Sequence, residues 1–146
     1  MLTNYRSWLR VSITLQAMTG VFHLLSFLAT APPANEEEKS LRTLMANYQF
    51  DLGAGFHRSM NDLMNSFSLV FSLFLFFTAA LHFLLLRLHL PENKLKPLLL
   101  LSIIAYLCCF CIMSLLTFLP PIICVGLILA TLLLSYILLL RQSKLI

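Results

Sequence analysis

Four long uncharged apolar runs take up most of this 146-residue chain: Val11–Ala31, Ser66–Leu86, Pro97–Leu119 and Pro121–Leu140. Each holds 20 to 23 residues without a Lys, Arg, Asp or Glu. A hydrocarbon layer about 30 Å thick needs roughly 20 apolar helical residues to cross it, so every run is long enough to span a bilayer. Lipid offers a backbone no hydrogen bonds, and a helix satisfies its own. The runs therefore predict an all-α protein, a four-helix transmembrane bundle. Its spans fall at about 11–31, 60–88, 97–119 and 121–140, with one outer loop at 32–57. Hydrophobic residues make up 60% of the chain, and little is left for anything else, so residues 1–146 are expected to form a single membrane domain.

The placement of charge says more than its sum. Arg6 and Arg10 precede the first run, Arg87, Lys94 and Lys96 separate the second and third, and Arg141 and Lys144 follow the fourth. If four spans alternate, these seven of ten basic residues share one side. The other side carries Lys39, Arg42 and Arg58 among Glu36, Glu37, Glu38 and Asp51. The positive-inside rule then puts both termini in the cytoplasm. The formal charge of +4 serves orientation, with membrane lipid as the partner and no nucleic acid. Residues 1–31 imitate a secretory signal ending at Ala29-Thr30-Ala31. Their apolar run exceeds the 7–15 residues of a signal and contains Gln16 and His23, so it reads as a retained first span.

In the outer loop, Asn35 followed by Glu38 has the form of a helix N-cap with its capping-box partner. Three glutamates complement the helix dipole in the first turn. Leu41, Leu44, Met45 and Tyr48 recur at helical spacing, which predicts a short amphipathic helix on the outer interface. Gly53 and Gly55 predict a flexible turn before the second span, whose helix is expected to start near Phe56 and run to Leu88. Pro91 ends that helix and Glu92–Lys96 forms a tight connection. Leu119-Pro120-Pro121 makes a hairpin almost without a loop, so the last two spans are antiparallel neighbours.

Polar residues inside the runs are uneven. Gln16, Thr19, His23, Ser26 and Thr30 fall along one stripe of the first span. Arg58, Asp62, Asn65 and Ser66 gather at the start of the second. In lipid such groups turn inward and pair, so the two stripes are expected to press together near the outer face. The candidate ligand-binding set is Gln16, His23, Ser26, Thr30, Arg58, Asp62 and Asn65. At 1.5 Å per residue, His23 lies about 12 Å below the outer end of its run and Asp62 about 6 Å above the start of its own. Ser26, Thr30 and Asn65 would have to bridge them. In one reading Asp62 and His23 hold a headgroup or a proton at the mouth of an apolar cavity. In the other, Arg58 and Asp62 form an interfacial i,i+4 ion pair, and His23 and Gln16 are helix glue.

Cys108 and Cys111 form a C-x-x-C, the spacing of dithiol oxidoreductases, including four-helix membrane enzymes that reduce quinones. The outer loop lacks the second cysteine pair such enzymes use, and the surroundings are apolar, so these cysteines are expected to be small apolar packing residues. His57, His82 and His89 are too dispersed for a metal set, and no cofactor-binding motif occurs.

Several short motifs carry a resemblance. They are Gly20-Val21-Phe22-His23, the Pro32-Pro33 with its acidic loop, Phe50-Asp51, Arg58-Ser59-Met60-Asn61-Asp62 leading to Phe67-Ser68, and Phe118-Leu119-Pro120-Pro121. In this order and spacing the chain resembles an uncharacterised family of small bacterial four-helix integral membrane proteins. The resemblance implies the four-helix fold and the bacterial inner membrane, and supplies no activity. Where that pattern has an aromatic residue before the aspartate and Gly-Phe after it, this chain has Asn61 and then Asn65-Ser66-Phe67. The sequence thus points to a non-enzymatic membrane protein that binds a lipid or other amphiphile at its outer polar cluster. The alternatives are an enzyme on a membrane-soluble substrate with Asp62 and His23 as acid–base groups, or a subunit of a membrane complex, transporter or homo-oligomer.

Overall fold

The structure, a computed structural model, describes residues 4–27 and 31–142. It is dominated by helix: α1 (Tyr5–Leu25), α2 (Glu36–Asn47), α3 (Met60–Arg87), α4 (Glu92–Leu116) and α5 (Leu119–Gln142). Two short strands, β1 (Gln49–Asp51) and β2 (His57–Ser59), lie between α2 and α3. Three described helices, α3, α4 and α5, are long and apolar enough to cross a membrane.

Several boundaries differ from expectation, each for a local reason. The first helix begins at Tyr5 and ends at Leu25, so Arg6 and Arg10 are helical and Ser26 and Phe27 form a closing turn. Asn4 starts it, accepting from the Arg6 N–H at 2.9 Å. Nothing in Tyr5–Arg10 breaks a helix, and arginine stems can lie along apolar surface with their heads in water. The third helix stops at Arg87, and Glu92–Lys96 is the first turn of α4 rather than a connection. Glu92 suits that N-terminal turn and lies 3.9 Å from Lys96 one turn on. Pro97, inside the helix, removes one backbone donor near an exposed end where water can serve the orphan carbonyl. The α4–α5 connection is as short as the double proline implies: Thr117 caps α4, and Pro120 and Pro121 occupy the first turn of α5, where missing N–H groups cost nothing.

The chain groups into two compact units. One comprises Met1–Thr19 with Leu75–Ile146, and among the described residues it contains every buried large apolar side chain. Leu95, Leu99, Ile103 and Tyr106 form the buried stripe of α4, and Val125, Ile128, Leu132 and Leu139 that of α5, at the three-and-four spacing of a helix face. These two helices pack on each other. At Gly126 of α5 an added Cβ would lie 3.1 Å from the Phe110 ring of α4, so the absent side chain permits that approach.

The second unit is Gly20–Phe74. The Asn35 cap forms as the sequence indicates, accepting from the Glu38 N–H at 2.8 Å. The Glu38 carboxylate accepts from the Ala34 N–H at 2.7 Å and pairs with Arg42, which also donates to the Ala31 carbonyl at 2.6 Å. No residue of α2 is buried, and Leu41 and Leu44 remain exposed. The expected flexible turn is instead a hairpin. Gln49, Phe50 and Asp51 pair antiparallel with Ser59, Arg58 and His57. Gly53, Ala54 and Gly55 all take positive φ (81°, 51° and 80°), and the Asp51 carboxylate accepts from the Gly53 N–H at 2.9 Å. Two glycines flanking one alanine make that left-handed path affordable in steric terms. Strands of three residues are too short for alternation to reveal them.

Glu38 supplies a pH test. The Ala34 N–H, and after it the Arg42 guanidinium, hold its carboxyl below the ordinary value of 4.5. A depressed folded value stabilises the α2 start above the unfolded value, and the effect is lost as pH falls through the folded one. The amide resonances of Ala34 and Lys39 should therefore titrate with a midpoint below 4.5, and lose that titration in Glu38→Gln. A wild-type midpoint at or above 4.5 contradicts these bonds.

Candidate functional site

The polar residues picked out from sequence do not form one cluster. Gln16 belongs to the first compact unit and His23, Ser26, Arg58, Asp62 and Asn65 to the second. Thr30 lies outside the described residues. His23 is half-buried, with its ring edge-on to Phe71 at 5.3 Å between centroids. Ser26 turns back to donate to the His23 carbonyl at 2.6 Å. Phe71 is nine residues beyond Asp62, about 13 Å along a helix, so His23 packs well away from that carboxylate. Asn65 is exposed.

Asp62 has a local duty. Its carboxylate accepts from the Ser59 N–H and hydroxyl, both at 2.9 Å, while Ser59 Oγ accepts from the Asp62 N–H at 3.1 Å. This is a reciprocal capping box at the start of α3. The sequence signal was present, since Ser-x-x-Asp ahead of an apolar run is its signature. The expected Arg58–Asp62 ion pair is absent among the described residues. Arg58 lies in β2, before the helix, so the i,i+4 geometry does not apply. Its guanidinium donates to the His57 carbonyl at 2.8 Å and stands 5.8 Å from the Phe56 ring centroid.

The main buried polar constellation is one that the sequence reading set aside. It lies in the first unit and centres on His82 of α3, fully buried together with Ser12 and Gln16 of α1. Ser102 Oγ of α4 donates to the Leu98 carbonyl at 3.0 Å, which uses its one proton. It therefore accepts from His82 Nε2–H at 3.0 Å. A neutral imidazole then has Nδ1 as acceptor, and Gln16 Nε2 lies 3.1 Å away with its other proton directed to Ser12 Oγ at 2.9 Å. Gln16 Oε1 is 3.2 Å from the same Nδ1. With Nδ1 unprotonated the oxygen has no proton to accept there, so the Nε2 end of the amide carries the contact.

A second buried pair sits one turn away. Thr78 Oγ1 donates to the Leu75 carbonyl at 3.0 Å and accepts from Tyr106 OH at 2.7 Å. At the basic end, Ser135 Oγ of α5 donates to the Tyr5 carbonyl of α1 at 3.1 Å. Side-chain bonds thus tie α1 to α3, α3 to α4 and α5 to α1, and α4 packs on α5. No buried side-chain nitrogen or oxygen among the described residues lacks a partner. A network in which each donor already has its acceptor binds helices together. General acid–base work needs a lone pair or proton that faces a substrate. Equal depth along the runs is the signal in the sequence that could have pointed to His82. Gln16 and Ser102 stand five residues from the basic ends of their runs and His82 four, all about 6–8 Å in.

Cys108 and Cys111 are free and exposed on α4, and Cys109 and Cys124 are intermediate. The expected role as packing residues does not hold for Cys108 and Cys111, because the buried stripe of α4 runs through Ile103 and Tyr106 on a different face. His57 is on β2, and His89 follows α3. Compared with protein-family models, with curated proteins and with solved structures, the chain matches none.

Two substitution tests follow from these bonds. Ser59→Ala removes the two bonds that the hydroxyl makes in the α3 cap, leaves the backbone N–H to Asp62, and should cost about 1 kcal/mol in thermal or denaturant unfolding. Asp62→Ala should cost a similar amount, and the pair together little more than either, since both break the same cap. His82→Leu leaves Gln16 buried without its ring partner and should cost about 1–2 kcal/mol. Adding Gln16→Leu should recover part of that loss, because replacing both partners by apolar groups removes the orphan. Strict additivity would show that the two side chains do not interact.

Proposed function

We propose that this chain is a multi-pass integral membrane protein with four spans and both termini in the cytoplasm. It acts by holding a membrane amphiphile at its outer face rather than by catalysis. The observation that carries this reading is the reversed polarity of the helices. Ser12, Gln16, Ser72, Thr78, His82, Thr131 and Ser135 are buried, while residues such as Phe67, Val70, Leu73, Phe77, Leu101 and Leu115 are more than half exposed. Water-soluble proteins bury such side chains. Lipid as the surrounding solvent accounts for both halves of the pattern.

The same argument makes α1 the fourth span. Gln16 and Ser12 lower its average hydropathy, yet both are buried, and the exposed positions include Val11, Met18, Val21, Phe22 and Leu25. Beyond Arg10, Thr14 is the one polar residue among the exposed positions of α1, so its outward surface is largely apolar although its composition is mixed. The resemblance to small bacterial four-helix membrane proteins agrees with this arrangement and suggests the inner membrane.

Binding is favoured over catalysis because His23 and Asp62, the expected acid–base pair, are engaged with Phe71 and Ser59. The unburied apolar residues of α2 and the hairpin favour an amphiphile. Leu41, Leu44, Tyr48, Leu52 and Phe56 are each more than half exposed, with the Arg58 cation beside Phe56. Aromatic rings next to a cation suit the boundary between acyl chains and headgroups.

Reporter fusions after Pro33, Pro91, Phe118 and Gln142 test the topology. The first and third should report outside, the second and fourth inside. A Pro33 fusion on the same side as Gln142 would remove α1 as a span. Native mass spectrometry of gently extracted protein tests the binding. A stoichiometric lipid or quinone, depleted in Phe56→Ser/Arg58→Ser, is the expected result. Bare protein of fixed oligomeric state would favour a role as a subunit instead.

A further inference from the structure

The basic end of the first unit contains a feature that charge orientation alone does not explain. Arg6 and Arg10 of α1, one turn apart, converge with Arg87, Phe83, Leu86 and His89 around a cleft of about 220 Å³. His89 takes a left-handed φ of 46°, and its Nδ1–H donates to the Arg87 carbonyl at 2.7 Å, which folds the chain back beside the cleft. Aromatic rings hold two of the guanidiniums. Arg87 stands 5.3 Å from the Phe83 ring centroid and Arg6 5.8 Å from that of Tyr5, with Arg6 Nε donating to Tyr5 OH at 3.2 Å.

None of the three arginines has a carboxylate partner among the described residues. All six acidic side chains of the protein belong to described residues, and the ion pairs among those residues are Lys39–Glu36, Arg42–Glu38 and Lys96–Glu92. Glu92, the one acidic side chain of this unit, is thus engaged elsewhere. Helix electrostatics do not call for the arrangement either. Arg87 suits the C-terminal end of α3, but Arg6 and Arg10 stand near the N-terminus of α1, where cations oppose the dipole and no acidic residue offsets them. Like charges gathered around one concave site repel each other until an anion enters.

We propose that this cleft binds a phosphate group, through guanidinium forks from Arg6, Arg10 and Arg87, with Phe83 and Leu86 as its apolar floor. Planar guanidinium groups match phosphate oxygens two at a time, and aromatic support holds them ready. The phosphate has two possible sources, the headgroup of an anionic lipid or a free anion. This site is separate from the outer amphiphile site, so the failure of either proposal leaves the other standing.

The test uses the full-length protein in detergent and in nanodiscs, with phosphatidylglycerol, phosphatidylcholine of the same chains and inorganic phosphate as probes. Wild type should bind phosphatidylglycerol in preference to phosphatidylcholine. Arg6→Gln, Arg10→Gln and Arg87→Gln should each weaken that binding by about tenfold or more, the worth of a charged hydrogen bond. Arg6→Lys, which keeps charge and loses the fork, should fall between. Arg141→Gln, a basic residue outside the cleft, should change affinity less than about twofold. If inorganic phosphate binds alone and displaces the lipid, the ligand is a free anion; if only the lipid binds, it is a headgroup. Equal losses in all the arginine variants, Arg141 included, would mean diffuse surface charge and overturn the site. So would equal binding of the two lipids with no binding of phosphate.

Discussion

A chain of hydrogen bonds through one buried histidine holds the first unit in register. Ser12, Gln16, His82 and Ser102 come from three helices, and the bonded pair Gln16 and His82 stand 66 residues apart in sequence. Between helices in lipid there is little hydrophobic drive, since acyl chains are as apolar as leucine. Interhelical contact then depends on close packing and on polar groups that find nothing outside. Gln16 and His82 meet both demands. The amide donates to one ring nitrogen, and Ser102 accepts from the other. Apolar residues such as Leu9, Leu75, Leu99 and Leu132 pack at full burial in the same unit.

The second unit is organised differently. Its described part has no buried large apolar side chain, and beside the His23–Phe71 ring contact its bonds are local: the Asn35 cap with Glu38 and Arg42, the Ser59–Asp62 box, and the turn at Gly53–Gly55. Each of these local elements joins residues fewer than a dozen positions apart. Such a segment keeps its backbone satisfied while leaving its apolar side chains free to meet an interface. Asp62 illustrates the cost of reading a charge in isolation. An acidic residue near a membrane span invites a functional reading, yet the Ser59 that caps the first turn of a helix beginning at Met60 has its own N–H and hydroxyl proton to place, and the carboxylate accepts both. Capping is the simpler use of that carboxylate.

Much of the fold was legible in the sequence because it depends on interactions within about four residues. Uncharged runs mark the helices α3, α4 and α5, the Asn35–Glu38 spacing marks the start of α2, and the double proline marks the α4–α5 hairpin. The hairpin of β1 and β2 was not legible, since its pairing is carried by backbone bonds and by positive φ at Ala54, which no side-chain pattern announces. The start of α4 was misplaced because proline usually stands at a helix end, whereas here Glu92–Lys96 forms a turn ahead of it.

The candidate site divides along the same line. Sequence by itself determined which residues are polar within apolar runs, which end of each run is basic, and that Gln16 and His23 lie on one stripe of α1. Tertiary structure decided their partners: Gln16 meets His82, His23 meets Phe71, and three arginines from two helices face one cleft. Periodicity and capping are properties of one helix and can be counted along it. The rotation and depth of one helix against another follow from how whole faces pack, and a single sequence does not contain that geometry residue by residue.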